Sequence, residues 1–543
     1  MMNKRMFCRF IPAILIFPCC VLNLIAQHEY MSNEMGMEKL GNVSFPTSCS
    51  PPSQPDLEAG VASLHSFEYA TAMRHFQGAL EKDSSCAIAY WGKAMSLYHE
   101  LWNEPSEKDL TEGWEFVRKA EAATETSARE REYIQAMATF YKPGKQTAED
   151  RATGYSAAME KLHADYPSDE EATVFYALSL LASQPPDDVS LQHAKKAVQL
   201  LNTVLAVDPD HPGVAHYLIH ACDNPAMAQD GLAAARRYAA IAPSSPHALH
   251  MPSHIFTRLG LWQDDIASNL AAVKAAEQAP SGTEAKLHPM DFLEYAYLQT
   301  GQDDKARAVE QEALATKNQG FTRGLEQYYY YAQAHFPALL ALETKDWKAA
   351  ESLQPPLGAE PGVQVITYWA QAIGASRAGD VVAASLAVEH LDQATLAEKK
   401  RHPGSPEPPV DTDKNEAHAW LAFAKQDYPA ASKLLQPVIQ FQDQVGKGEV
   451  ELPAREMYAD MLLLSNRPTE ALDEYRLSLK SDPSRFNALY GAARAAESIH
   501  QDSIAATYYK QLLDNCNDAD ASELPEIKHA KEFVTQSARA SLR

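Results

Sequence analysis

Two histidine pairs in the central part of the chain have the spacing of a helical metal chelate. His216 is followed by His220, and His250 is followed by His254, so the pattern His-x-x-x-His occurs twice. Residues four apart lie on one face of an α-helix, and two imidazoles placed there can bind the same ion. Each pair therefore predicts a metal-binding position on a helix.

The two pairs also follow a longer repeat. Residue 250 lies 34 positions after residue 216, and a period of this length is typical of stacked helical hairpins. A run of small and apolar residues ends at Pro209, and a weaker copy ends at Pro243. Since proline starts a helix well but cannot continue one, each proline is predicted to close one hairpin and open the next.

The helix that follows Pro209 is predicted to pack through an apolar stripe. This stripe consists of Ala215, Leu218, Ile219 and Cys222. At about 100° per residue, His216 and His220 lie roughly 120° from its centre. We therefore expect both histidines away from the core, in a groove shared by successive hairpins.

Later hairpins extend the pattern when they are aligned on Gly260 and Gly301. Asp291 then falls in the position of the first histidine, Tyr295 falls in that of the second, and the next hairpin has His335. The same position in four successive repeats is therefore occupied by His216, His250, Asp291 and His335. The other side chains predicted to line this groove are His65, His99, His247, Arg258 and His288.

Neighbouring helices lie about 8–10 Å apart, which lets imidazoles of adjacent hairpins meet. The predicted single metal site consists of His216, His220, His250 and His254. Asp291 is expected as a carboxylate ligand or as a partner that orients an imidazole, and His335 belongs to a separate site. Imidazoles without a thiolate suit zinc, copper, iron or nickel, and disfavour calcium and magnesium. Four histidines around one ion would form a structural site, whereas three plus water would form a reactive one.

Residues beside the histidines leave alternatives open. Pro252 either bends the helix and turns His254 inward or marks a later start of the helix, and Pro337 holds the same position two repeats on. Arg258 can bind an anionic group of a substrate or pair with an acid such as Asp223. Neither histidine pair has the glutamate of His-Glu-x-x-His, which removes the usual base of a metalloprotease.

The composition predicts an all-helical chain without a nucleic-acid partner. Its 543 residues exceed one compact core, and patterns of alternating polarity are scarce. A solenoid accommodates this length because each hairpin packs on its neighbours. The net charge of -24 and the lack of a basic stretch argue against a surface that binds nucleic acid.

Residues 1–26 have the features of a secretory signal peptide, namely a basic N-terminal region, an apolar segment and Ala26 at the predicted cleavage site. We expect a periplasmic or secreted protein without a transmembrane segment after cleavage. A lipoprotein is less favoured because neither Cys19 nor Cys20 follows a small residue. Export would permit a disulfide bond, and Cys49 and Cys86 are the pair most easily joined. The alternative is that both cysteines are unpaired.

The remaining chain divides into four segments. Residues 27–56 are predicted to be an extended lead-in, residues 57–400 a first array of hairpins, residues 401–413 a proline-rich loop and residues 414–543 a C-terminal array. The hairpin endings and the period resemble the tetratricopeptide repeat family over most of residues 57–515. The strings at 64–67, 89–92, 247–256 (HALHMPSHIF) and 295–299 are similar to those of a group of large exported bacterial tetratricopeptide proteins.

This resemblance implies an all-α, right-handed solenoid of helix-turn-helix repeats whose first helices line a concave groove for a protein or peptide. Grooves of that family commonly carry Asn, Lys and Arg, whereas residues 211–340 place His and Asp there, which weakens the case for a peptide. We therefore predict an exported binding or scaffold protein with a histidine-rich metal site. One alternative is a metal-dependent hydrolase or oxidoreductase that acts on a small molecule, with Asp291 or Tyr295 handling a proton. A second alternative is an assembly scaffold without any site.

Overall fold

The computed structural model describes residues 39–101, 104–185, 188–278, 282–322, 324–401, 410–448, 450–517 and 523–541. Within these ranges every regular element is a helix and no strand is formed, which confirms the predicted all-α fold. The segment predicted as a signal and residues 402–409 of the proline-rich loop lie outside the described residues. From Leu40 onward the chain belongs to one compact unit.

The N-terminal part consists of helices that pack in consecutive pairs after a 3-10 turn at Pro51–Ser53. Their bounds are α1 (Gln54–His65), α2 (Tyr69–Lys82), α3 (Ala87–Met95), α4 (Glu107–Ala122), α5 (Ala128–Tyr141), α6 (Ala148–Asp165), α7 (Glu170–Ala182) and α8 (Gln192–Leu205). Ser106, Ser127 and Thr147 each start a helix with a capping box, which satisfies backbone N–H groups that the helix itself leaves open. A disulfide joins Cys49 to Cys86.

The central helices carry the histidines. Their bounds are α9 (Pro212–Cys222), α10 (Ala228–Ile241), α11 (Pro246–His250), α12 (Pro252–Leu259), α13 (Trp262–Ala276), α14 (Glu284–Gln299) and α15 (Asp303–Leu314). Pro252 divides what would be one helix into α11 and α12, with Met251 as the joint. Met251 keeps helical backbone angles, so α12 follows closely on α11 and His247, His250 and His254 come from one short stretch of chain.

The remaining helices continue the paired packing. They are α16 (Tyr328–Glu343), α17 (Trp347–Ser352), α18 (Pro361–Ala378), α19 (Val381–Arg401), α20 (Thr412–Ala424), α21 (Tyr428–Val445), α22 (Ala454–Leu464), α23 (Pro468–Ser481), α24 (Phe486–Ser498), α25 (Asp502–Asn515) and α26 (Pro525–Ser541). Among the described residues, no helix combines the length and the apolar composition that crossing a bilayer requires.

Many hairpins turn through one residue in the left-handed backbone region, which ends the first helix and starts the connection. These residues are Phe67, Gly260, Gly301, Lys345, Gly379, Gln426, Asn466 and His500. Gly260 and Gly301 occupy equivalent turns, as their alignment in the sequence predicted. At Gly260 a side chain would also collide with the backbone carbonyl of Pro483, so glycine is required there for two reasons.

Packing between distant helices completes the unit. Helix α9 contacts α1, and α14 contacts α24. The indole N–H of Trp262 donates to the carbonyl of Ser484 at 2.8 Å, and Arg258 donates to the carbonyl of Lys447 at 2.8 Å. The central histidine-bearing helices are therefore held from both sides, by the first helix and by the C-terminal array.

Candidate metal centre

The first histidine cluster, called triad A, consists of His216, His220 and His247. His216 and His220 project from α9, and His247 comes from α11. The Nε2 atom of His216 lies 3.0 Å from Nε2 of His220 and 3.0 Å from Nε2 of His247. The three side chains thus gather one nitrogen each within 4.8 Å of the others, as ligands of one ion would.

The second cluster, called triad B, consists of His250, His254 and His288. These residues come from α11, α12 and α14. The Nε2 atoms of His250 and His254 are 3.1 Å apart, and a nitrogen of His288 lies within 4.8 Å of both ligand atoms. Triad B therefore repeats the arrangement of triad A one hairpin later.

Hydrogen bonds behind the rings determine where the protons of triad B lie. Asn269 donates its amide to the carbonyl of Asp265 at 3.1 Å, so its Oδ1 accepts from Nδ1–H of His250 at 2.7 Å. Asp223 Oδ2 likewise accepts from Nδ1–H of His254 at 2.8 Å. When these rings are neutral, with the proton on Nδ1, the lone pairs of the two Nε2 atoms face each other. Two lone pairs 3.1 Å apart repel unless a positive charge lies between them, so this pair is suited to a cation.

The rings of triad A are held in a similar way. Nδ1–H of His216 donates to the backbone carbonyl of His65 at 2.6 Å, which leaves Nε2 as the unprotonated nitrogen of the neutral ring. Burial is the main cause that lowers the pKa of His216 and of His247 well below the ordinary value, and neighbouring histidines add to it. Both side chains are therefore neutral near pH 7, which is the form that binds metals.

Most of the ring separations lie near those that one ion in each triad would require. An ion at a Zn–N distance of about 2.0 Å lies about 3.2 Å from a ring centroid, so two rings at the tetrahedral angle have centroids about 5.2 Å apart. The centroids are 4.7, 4.9 and 6.4 Å apart in triad A. They are 5.0, 4.3 and 5.9 Å apart in triad B. Small shifts of the rings would place three imidazoles around an ion at either position.

One phenylalanine packs against each triad. The ring of Phe67 lies 4.4 Å from that of His216, and it also contacts His220 and His247. Phe292 contacts all three histidines of triad B, with centroids 4.7–5.5 Å apart. These apolar neighbours limit the movement of the imidazoles and exclude water from one side of each triad, which strengthens binding to an ion.

Arg258 supports triad B from behind. Its Nε donates to Asp223 Oδ1 at 2.8 Å, while the other carboxylate oxygen of Asp223 accepts from His254. Of the two interpretations left open by the sequence, the structure forms the ion pair. Asp223 thus connects a guanidinium to an imidazole, an arrangement that fixes the orientation of a metal-binding histidine and raises its basicity.

A third cluster, the Glu171 network, consists of His65, Glu171 and His211, all buried. His65 Nε2 lies 2.7 Å from Glu171 Oε2, and His211 Nε2 lies 3.1 Å from Oε1. Burial opposes ionisation of Glu171, but the two imidazoles outweigh it and hold the pKa of this carboxyl far below its usual range. Because the carbonyl of His65 accepts from His216, the Glu171 network positions a member of triad A.

The structure divides the four histidines of the predicted single site between two triads. His247 and His288, which the sequence placed only in the groove, supply the third member of each. His216 was expected away from the core, yet it is fully buried. The reason is that Phe67 from the turn after α1 and Tyr238 from α10 pack on its ring.

The other predicted residues lie elsewhere. Asp291 forms an ion pair with His335 at 3.2 Å and accepts from the hydroxyl of Tyr331 at 3.1 Å. Burial lowers the pKa of His335, but the charge of Asp291 outweighs it, so the pKa is raised. The hydroxyl of Tyr295 contacts the guanidinium of Arg485. Asp291 is therefore not a ligand in either triad, and the contacts described here for both residues are to other side chains.

His99 stacks on Tyr69 with centroids 4.5 Å apart, and both line a cavity of about 60 Å³ beside His247, His250 and His288. Sequence reasoning missed Glu171, Asn269 and Phe67. The three lie 106, 19 and 149 residues from the histidines they support (His65, His250 and His216), so no local spacing could have identified them. His211 offered a signal, since it precedes Pro212 at the start of the helix that bears triad A.

Both triads border a larger cavity of about 620 Å³. The polar part of its wall comprises Gln184, Asp188, His220, Asp223, Asn224, His247, His254, His288 and Tyr328. Apolar side chains, among them Leu181, Leu191 and Met251, form another part. The cavity has the size of small-molecule sites, and it gives both triads access to a ligand.

No protein-family model matches the chain, and no curated protein matches it. Among solved structures, it is similar to yeast Tom70, with 13% identity over 90% of this chain and 96% of that chain and a TM-score of 0.32. Human IFIT1, solved as a dimer with m7Gppp-AAAA, has 13% identity over 84% and 95% of the two chains and a TM-score of 0.36. The P58(IPK) TPR domain has 15% identity over 90% and 99% and a TM-score of 0.21. The class of protein is defined by the structure itself: stacked helical hairpins with two histidine triads on one cavity.

Proposed function

We propose that the protein binds transition-metal ions, one in triad A and one in triad B. The observation that carries this proposal is the pair His250 and His254, whose Nε2 atoms lie 3.1 Å apart while both Nδ1–H groups donate to oxygen atoms behind the rings. This arrangement of hydrogen bonds is the one that metal-binding histidines have in proteins. A cation between the two Nε2 atoms would remove the repulsion between their lone pairs.

The donor set favours zinc, copper, iron or nickel. Each triad offers three imidazoles and no thiolate, and borderline divalent ions prefer such ligands to the carboxylate oxygens that calcium and magnesium require. Three protein ligands leave one coordination position of a tetrahedral ion open. Two histidines of each triad line the larger cavity, which would give a ligand access to that position.

Titration of the full chain with zinc, cobalt, nickel and copper after treatment with a chelator tests the proposal. We expect about two ions per chain from the two triads, and His254→Ala should remove one of them. His335→Ala is the matched control, because this buried helical histidine lies outside both triads. Absence of binding, or an equal loss of metal in both variants, would refute the proposal.

A metal-dependent enzyme is the second candidate, and the larger cavity favours it. Open coordination positions beside a space of about 620 Å³ would allow a small molecule to reach the ions. We propose a hydrolase or an oxidoreductase as the class of enzyme. Turnover of small-molecule substrate panels by the zinc- and iron-loaded protein tests this, with His254→Ala as the inactive variant. Equal turnover by the two proteins would exclude the triads as the active centre.

We also propose that the protein is exported to the periplasm or secreted, and that the hairpin surface outside the triads binds a protein or peptide. The disulfide between Cys49 and Cys86 supports export because such bonds persist in oxidising compartments. The extended surface of stacked hairpins supports a role as a scaffold. Mass spectrometry of thiol-alkylated protein from cell fractions tests the location, and reduced Cys49 and Cys86 in cytoplasmic material would contradict it. Crosslinking on intact cells tests the partner, and recovery of only the uncrosslinked chain would contradict it.

A further inference from the structure

We infer that triads A and B form a single two-metal centre, completed by a small oxyanion, a phosphate or carboxylate group, that enters from the larger cavity. This inference rests on the proposed binding of metal ions. It adds that the two ions act together and that the ligand of the centre is an anion.

The two triads are close enough to share a ligand. The ring of His220 lies 6.2 Å from that of His254, and the ring of His247 lies 6.2 Å from that of His250. Each ion would lie about 3.2 Å from the centroids of its own rings, so these contacts bring the coordination shells of the two ions next to each other. A single oxygen atom bridges ions about 3.5–4 Å apart, and the O–P–O or O–C–O group of an oxyanion spans a wider gap.

The charge of the two ions favours an anionic ligand, because the imidazoles around them are neutral. Six neutral imidazoles around two divalent ions leave four positive charges uncompensated. Among the described residues, no aspartate or glutamate joins either triad. Asp223 contacts His254 but also pairs with Arg258, Glu171 bonds to His65 and His211, and Asp188 in the cavity wall accepts from Ser190. These carboxylates offset only part of the charge, and because isolated charge is costly in a partly buried site, we expect a bound anion to supply the rest.

The larger cavity provides access to both ions and space for the apolar part of the ligand. Four of its wall residues, His220, His247, His254 and His288, come from both triads, so a single molecule in the cavity can reach both ions. The wall also contains the apolar side chains Leu181, Leu191 and Met251. A ligand with an oxyanion head and an apolar body matches this division, with its head on the ions.

Calorimetric titration of the full chain with cobalt tests the inference, first in buffer alone and then with inorganic phosphate. We expect phosphate to tighten binding of the second ion at least tenfold. By linkage, two ions should tighten the binding of phosphate by the same factor. Acetate in place of phosphate distinguishes carboxylates from phosphates as the preferred oxyanion.

His220→Ala for triad A and His288→Ala for triad B are the decisive variants, because these side chains are half-buried and their loss spares the core. Each should bind one ion and lose the coupling to phosphate. His247→Ala and His254→Ala serve as second variants if either protein fails to fold, as judged by circular dichroism.

The outcomes separate this inference from the proposed function. Two ions that bind independently of phosphate and of acetate would overturn the two-metal centre and leave metal binding intact. One ion per chain would overturn the two-metal centre and the assignment of an ion to each triad, and would leave only metal binding by one triad. A chain that binds no ion would overturn both. A tightening by phosphate that persists in His220→Ala and in His288→Ala would overturn the inference as well, because a single triad would then suffice for the anion.

Discussion

Substitution of Glu171 by glutamine tests how the network behind triad A works. The carboxylate is 1% exposed and accepts from His65 at 2.7 Å and from His211 at 3.1 Å. Val214 donates its backbone N–H to His211 Nδ1, so His211 must donate through Nε2–H and requires an acceptor. Glutamine has one acceptor oxygen in place of two, and its amide group would face the other imidazole.

The expected cost follows from these contacts. Loss of a hydrogen bond to a charged group costs about 1.5–3 kcal/mol, and a buried donor left facing another donor costs about 1–3 kcal/mol more. We therefore expect Glu171→Gln to lower the free energy of unfolding by about 3–5 kcal/mol, the range for breaking a buried ion pair. The carbonyl of His65, which holds His216, should shift with its side chain, so the affinity of triad A for zinc should fall about 10- to 100-fold.

Urea denaturation of the metal-free protein and zinc titration of the folded protein measure the two effects. Glu160→Gln is the matched control, since Glu160 is exposed and accepts only from the hydroxyl of Tyr176. It should change stability by less than about 1 kcal/mol. If Glu171→Gln were as stable as the control, or if it weakened triad B as much as triad A, the assigned role of the network would be refuted.

Three further predictions address triad B, the response to pH and the disulfide. Asp223→Asn should weaken zinc binding by triad B about 10- to 100-fold because the amide holds His254 less firmly; titration of this variant with triad A intact checks it, and unchanged affinity would contradict it. Burial lowers the pKa of His65, His216 and His247, so below pH 6.5 the unfolded chain binds more protons than the folded one. Each should cost the metal-free protein up to about 1.4 kcal/mol per pH unit, and groups whose pKa is raised, such as His211, His335 and the buried Asp265, oppose this loss. The contribution of one histidine is therefore measured by difference: between pH 7.5 and 5.5, His247→Gln should lose less stability in urea than the wild type, and an equal loss would be inconsistent with the lowered pKa of His247. Cys86→Ser, which opens the bond to Cys49, should lower stability by about 2–4 kcal/mol; a thermal melt equal to that of the wild type would rule this out.

The local chemistry of the chain could be predicted from its residues. Periodic apolar positions made an all-helical fold the expectation, and the described helices agree. The spacing of His216 with His220 and of His250 with His254 predicted that the two members of each pair lie on the same helix face. Residues four apart in a helical backbone are neighbours. The ion pair of Arg258 with Asp223 was one of two stated alternatives.

The grouping of the histidines was decided by tertiary structure alone. His247 joins triad A through a contact with His216, 31 residues earlier on another helix, and His288 reaches triad B because α14 packs on α11 and α12. Glu171 and Phe67 reach the site through contacts between helices that are far apart in sequence. A period along the chain records which way a side chain points from its own helix, but the distance between two helices depends on all the side chains packed between them. For this reason the sequence by itself determined which residues could bind metal, and only the packed helices decided which of them meet.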